Sequence, residues 1–292
     1  MSKAKKSLLY VSLFSVSWAF HIILSRYALN VGLEPLLQQS SSLLISFIIF
    51  SVYYFLIVKK KITTIGKKDM TLAVVSGAFG AGIAGLLGLF GLNLSTSINY
   101  GFLIKTSAIF VILFSLPFLK EPIGKSKVLY MAILCLGTYL LSTSGRGLIF
   151  HYGDLLIVLS AVCIGASTVL MRFLGKRNMD PEFLTIIRVT SALFVIALAA
   201  FIIDGKVIEF KFLPLIVLIS LLQVFMLSSW ARTLSIASAS YATMISMITP
   251  VIVVILAYSF FDEQMNVVQF IGGALVIFGG IMTQVKGVAN HE

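Results

Sequence analysis

Acidic residues are scarce in this chain, eleven among 292, and none of them lies inside an apolar run. Asp69, Glu121, Asp180, Glu182 and Glu292 fall in one set of connections between runs, and Glu34, Asp154, Asp204, Glu209, Asp262 and Glu263 in the alternate set. A proton-coupled exporter of lipophilic cations holds a buried carboxylate for which proton and drug compete, so that class is disfavoured. An intramembrane hydrolase or a metal enzyme needs a cluster of His, Asp or Glu. Of the three histidines, only His21 lies in an apolar run, and it has no carboxylate beside it. The two cysteines, Cys135 and Cys163, are both in apolar runs, with neither metal-ligand spacing nor a disulfide framework. Charged residues as a whole make up 11% against 59% hydrophobic, with a mean hydropathy of +1.05, which leaves too little polar surface to cover a soluble globule. An integral membrane protein is the reading.

What the chain has in abundance is apolar runs of helix length, each of about 20 residues and sufficient to cross roughly 30 Å of hydrocarbon. Runs such as ISFIIFSVYYFLIV do not alternate in polarity, which excludes a transmembrane barrel. The opening MSKAKK followed by LLYVSLFSVSWAF has the basic and apolar parts of a signal peptide, but no small-residue cleavage site follows, so it reads as a retained first helix. Helices are expected at 8–30, 35–58, 70–91, 97–119, 127–144, 154–174, 182–203, 212–230, 238–261 and 266–285. The pairs Glu34-Pro35, Glu121-Pro122 and Asp180-Pro181 place proline where a helix can begin but not continue.

The distribution of basic residues tests that count. With the N-terminus in the cytoplasm, sixteen of the 22 Lys and Arg fall on the inner side; Arg26, Arg146, Lys206 and Lys211 fall outside; Lys105 and Arg188 remain within spans. Cytoplasmic loops carry such an excess. The net charge of +11 therefore reads as membrane topology, and no nucleic-acid partner is implied.

The chain also repeats itself. Ser97 to Glu121 aligns without a gap on Ala239 to Glu263, 142 residues on, pairing Leu103 with Ile245, Ser107 with Thr249, Phe118 with Phe260 and Glu121 with Glu263. Earlier segments match at an offset of 146, Glu34-Pro35 with Asp180-Pro181 and Ser25-Arg26-Tyr27 with Met171-Arg172-Phe173. The expected fold is an all-α membrane protein of ten transmembrane helices, built as two five-helix repeats over 1–146 and 147–292. Five is odd, so the second repeat is inverted in the bilayer, an arrangement that lets two halves exchange conformations around one midplane site.

These features resemble the drug/metabolite transporter superfamily, in particular its EamA-type ten-helix members. The resemblance rests on the Trp18 region, on the fourth and ninth helices closing in Phe-Leu-Lys-Glu121 and Phe-Phe-Asp-Glu263, and on the fifth and tenth helices, where Gly137 matches Gly279. A first-helix tryptophan commonly followed by glycine is here followed by Ala19. The resemblance implies a central cavity lined by the first, third, fourth, sixth, eighth and ninth helices, and export of amino acids or related metabolites, without a cofactor.

Candidate residues follow from polarity inside spans. Lys105 is a cation about 9 Å deep by helix rise, and a charge at that depth is costly. Snorkelling towards the outer face is the bland explanation, but Gly101 and Ala108 clear space beside it as a cavity wall does. Its repeat partner is Met247. Arg188 shares a stripe with Thr185 and Ser191 and reads as a snorkelling, peripheral residue. Trp18, His21 and Ser25 share one helix face, offering stacking area and a donor. Glycines 77, 80, 82, 85, 88 and 91 permit close helix approach rather than cradling a phosphate. Asn93 and Tyr100 stand in an uncharged polar connection, and Gln223, Trp230, Tyr241, Thr243 and Ser246 are pocket candidates by helix position. Pro250, with Thr249, is expected to hinge the ninth helix where the fourth stays straight.

Cations without acids point to an anionic cargo: a secondary transporter of small carboxylate-bearing metabolites, amino acids leading, with Lys105 on the carboxylate. A facilitator of neutral metabolites and a membrane-embedded lipid-handling enzyme are the alternatives. The bilayer and a small-molecule substrate are the implied partners, and a homodimer is among the states the sequence allows.

Overall fold

The computed structural model describes residues 3–58, 65–119, 125–143, 151–203 and 210–288, and among them every regular element is helical. The first half runs through α1 (Lys3–Asn30), α2 (Pro35–Val52, continued by a π-helical turn at Tyr53–Val58), α3 (Lys67–Gly77), α4 (Ala84–Leu94), α5 (Ser97–Leu103), α6 (Ser107–Leu119) and α7 (Lys125–Thr143). The second runs through α8 (Tyr152–Lys176), α9 (Pro181–Ile203), α10 (Leu213–Ile236), α11 (Ala239–Ile245), α12 (Thr249–Phe261) and α13 (Val267–Val288). Among the described residues eight helices are long and apolar enough to cross a membrane, and Val128–Leu141 and Val267–Met282 are shorter apolar helices. Those two stretches, in α7 and α13, pack on each other where a methyl at Gly137 would meet the Gly272 carbonyl at 2.7 Å, so the backbones cross in near contact.

The repeat is visible in the breaks. Helices α5 and α6 are joined by a 3-10 turn at Ile104–Thr106, and α11 and α12 by one at Ser246–Ile248, 142 residues on. Each begins with a hydroxyl cap: Thr96 accepts from the Asn99 N–H and Ser238 from the Tyr241 N–H, both at 3.1 Å. Inside the breaks, the Thr106 hydroxyl donates to the Leu103 carbonyl and the Ser246 hydroxyl to the Thr243 carbonyl, each at 2.8 Å, competing with the α-helical ladder. This corrects the expectation of a straight fourth helix beside a proline-bent ninth. Both are broken, and Pro250 sits in the first turn of α12, where its missing N–H leaves no helix bond unmade.

A second pair of contacts obeys the same symmetry. Arg26 of α1 donates to the Leu92 carbonyl near the end of α4 at 2.8 Å, and Arg172 of α8 donates to the Leu234 carbonyl near the end of α10 at 2.9 Å. Both arginines satisfy carbonyls that the helix termini leave without an internal donor. The glycine-rich third span is continuous from α3 to α4 through a π-helical turn at Ala78–Ile83. It runs to Leu94, so Asn93 belongs to a helix end rather than to a connection.

Candidate functional site

The helix breaks and the π turn converge on one cavity of about 120 Å³ of space open to water centres. From α1 come Trp18 and His21, from α5 Tyr100, and from the first 3-10 turn Lys105. Thr243, Ser246, Gln223 and Trp230 complete the predicted residues that line it. Asn93 is exposed and Tyr241 is half-buried, and neither lines the cavity. Thr249 and Pro250 are buried behind Ser246 in sequence, outside the lining.

Lys105 is 1% exposed, so its side chain stays in the interior instead of snorkelling to the outer face. Its ammonium lies 4.1 Å from the centroid of the Trp18 ring and donates to Ser246 Oγ at 3.3 Å. A cation over an indole face gains about 0.5–2 kcal/mol depending on desolvation. Trp18 is held by Phe14, with ring centroids 5.1 Å apart, and Phe14 stacks on Trp230 at 4.3 Å. The three rings make a rigid aromatic wall under the ammonium. Because Ser246 lies in the second 3-10 turn, the Lys105 contact joins the two helix breaks directly.

The family expectation for the lining is too narrow. The cavity also takes Gln39 from α2 and Arg188 from α9, helices expected to be peripheral. Gln39 Nε2 donates to the Ala81 carbonyl of the π turn at 3.0 Å. Gln223 Oε1 accepts from the Ser46 hydroxyl at 3.0 Å, which ties α10 to α2. Arg188 is 4% exposed, and its Nη2 donates to Ser167 Oγ at 3.2 Å. Its stripe partners are not part of the site, since the Thr185 and Ser191 hydroxyls close on the backbone of their own helix, at Pro181 and Arg188. The sequence signal for Arg188 was its charge within a span; Gln39 and Ser167 had none beyond modest polarity. None of the described acidic residues lines the cavity.

Ion pairs lie at the end of the bundle that the basic residues assign to the cytoplasm. Arg177, after α8, donates to Asp69 of α3 at 2.7 Å. Arg232 of α10 pairs with Glu182 of α9 at 2.9 Å and also donates to the Tyr53 hydroxyl at 3.2 Å. At the other end the Glu263 carboxylate accepts from the Ser97 and Ile98 N–H groups, at 3.1 and 3.0 Å, and so caps α5. Glu121, its repeat partner, lies outside the described residues.

A crystal structure of a protein aligns over 98% of this chain and 99% of its own, at 15% identity and a TM-score of 0.68, which establishes a shared fold. Comparison with curated proteins finds no match. The model of the EamA-like transporter family matches twice, over residues 5–143 and 151–284, once on each half. With a multi-pass helical fold, a twofold repeat and a cavity lined from both halves, the chain belongs to the EamA-like transporter family, whose members are transporters and not enzymes.

Proposed function

We propose that this protein is a secondary transporter, an exporter, of small carboxylate-bearing metabolites, amino acids among them. It works by alternating access as two inverted five-helix repeats in the cell (inner) membrane, with both termini cytoplasmic. The observation that carries the reading is a fully buried lysine in a cavity whose described lining contains no acid. An ion buried without a partner costs several kcal/mol. An arriving carboxylate offsets that cost by pairing with the ammonium, and the aromatic wall adds apolar contact for the rest of the molecule.

Recognition begins with the carboxylate at Lys105 Nζ, exchanging for or adding to the Ser246 hydroxyl. The Trp18, Phe14 and Trp230 rings supply one wall, and His21, Tyr100, Gln223 and Thr243 supply polar groups for the rest of the molecule. Closure and opening then redistribute end contacts: the Asp69–Arg177 and Glu182–Arg232 pairs must part for cytoplasmic access, and the Glu263 cap on α5 must yield for access from outside. The test is flux into liposomes containing only the purified protein. A small carboxylate crosses faster than through protein-free liposomes and is competed by other carboxylates but not by the corresponding amides. Equal flux of carboxylate and amide would favour a neutral facilitator and defeat the reading, and product formation without flux would replace transport by enzymatic lipid handling.

A further inference from the structure

We infer that Arg188 is a second anion-binding position in the same cavity, so that the preferred substrate carries two negatively charged groups, one at Lys105 and one at Arg188. The inference rests on the transport reading above and narrows its substrate class. Arg188 lines the cavity and is 4% exposed, yet its Nε and Nη1 have no hydrogen-bond partner. Those two nitrogens carry three of the five N–H groups of a guanidinium. Buried donors of this kind are nearly always satisfied, and the exceptions in native proteins call for an explanation.

The surroundings hold the guanidinium ready. Ser167 Oγ donates to the Ser76 carbonyl at 2.8 Å, which leaves its lone pair for Arg188 Nη2 at 3.2 Å. One nitrogen is thereby anchored while Nε and Nη1 remain without a partner. Gly80, in the π turn, lets the backbone close directly onto that pair. A methyl there would overlap the Ser167 side chain and come within 3.0 Å of Arg188 Nη2. Arginine presents a planar fork suited to carboxylates.

Lys105 and Arg188 are separate positions. Lys105 is held by Trp18 and Ser246, and Arg188 by Ser167 on α8, so they share no partner. A zwitterion fits less well: the described lining offers its ammonium no acid, and the Trp18 face is already occupied by Lys105.

The experiment measures binding to the full-length purified protein in detergent by calorimetry, with butyrate, succinate, succinamate and glutarate as probes. Succinate or glutarate is expected to bind at least tenfold more tightly than butyrate or succinamate. Arg188→Gln removes that preference while leaving butyrate affinity within threefold, and Arg188→Lys restores part of it. Lys105→Met weakens all four probes. Equal affinity of the parental protein for succinate and succinamate overturns the second position without requiring any variant to fold, and so does a dicarboxylate preference that survives Arg188→Gln; in both cases Lys105-dependent butyrate binding leaves the proposed function standing. Absence of binding by every probe overturns both.

Discussion

Replacing Lys105 by methionine separates recognition from folding, and the repeat itself supplies the reason for that choice of residue. Met247 occupies the equivalent position in the second repeat and is 2% exposed, so the architecture already accommodates a buried methionine there. On the stability side, Lys105→Met loses the contact with Trp18 at 4.1 Å and the bond to Ser246 at 3.3 Å. Together these are worth about 2–5 kcal/mol, the bond from an ammonium being stronger than a neutral one. Against that loss stands the removal of a buried ammonium with no acidic residue in its described surroundings, whose desolvation costs several kcal/mol. The apo protein should therefore melt at the parental temperature or above it. On the binding side, removing one partner of a buried ion pair costs about 3–5 kcal/mol, or roughly two to three and a half orders of magnitude in Kd. Thermal unfolding of the purified variant, together with carboxylate uptake in proteoliposomes, reads both quantities. Parental uptake by Lys105→Met refutes the carboxylate site, and a collapse in melting temperature refutes the assignment of Lys105 to recognition rather than structure.

Three further outcomes are expected. Glu263→Ala removes the cap on α5 and should cost about 1–2 kcal/mol of stability, with Glu263→Gln recovering part of it by keeping one acceptor; a glutamine variant no better than alanine in thermal melts would remove the cap from the account. Gly137→Ala forces α7 and α13 apart against the Gly272 carbonyl and should cost about 1–3 kcal/mol by overpacking, measured in the same melts. A cysteine at Gln264, which is exposed, should react with an impermeant maleimide added outside intact cells, and one at Thr64, which lies outside the described residues, should not; the reverse pattern would invert the topology.

Much of the architecture was legible because lipid leaves few alternatives: a span must be a helix, and its ends are marked by charge and proline. The expected third helix ended near Gly91, whereas the observed one reaches Leu94, because Leu92-Asn93-Leu94 carries enough helix propensity to continue and Arg26 satisfies the Leu92 carbonyl near its end. That contact spans 66 residues and has no local signature. Lys105, Trp18 and His21 were legible as a site because a charge in a span is rare and helical spacing aligns the other two. Arg188 carries a weaker sequence signal, because its cavity position depends on the π turn at Ala78–Ile83, which brings Gly80 against Ser167. A π turn is a tertiary compromise that glycine permits but does not announce.

On the proposed reading, the hinge and the binding group coincide in the two 3-10 turns. Lys105 stands in one turn and Ser246 in the other, and under the proposed function an anion that reaches the ammonium breaks or shares the bond between them. Ligand binding thus acts on the two points where the central helices already depart from α geometry, and such mid-helix turns often mark hinges. Proline is not the cause of the break, because Ala108 stands where Pro250 does and the first turn forms without it. Its role is to keep the break from healing: without an N–H at position 250 the ladder cannot run unbroken from α11 into α12. Pro250→Ala makes a continuous helix accessible in one state, stabilised by one additional backbone bond worth about 0.5–1.5 kcal/mol. If leaving that state limits turnover, transport should slow by about two- to tenfold, while carboxylate affinity stays within a few-fold because Lys105, Trp18 and Ser246 are untouched. Single-turnover exchange and equilibrium binding on the same preparation distinguish the outcomes. A variant that loses affinity but cycles at the parental rate would place Pro250 in the binding site and remove it from the hinge.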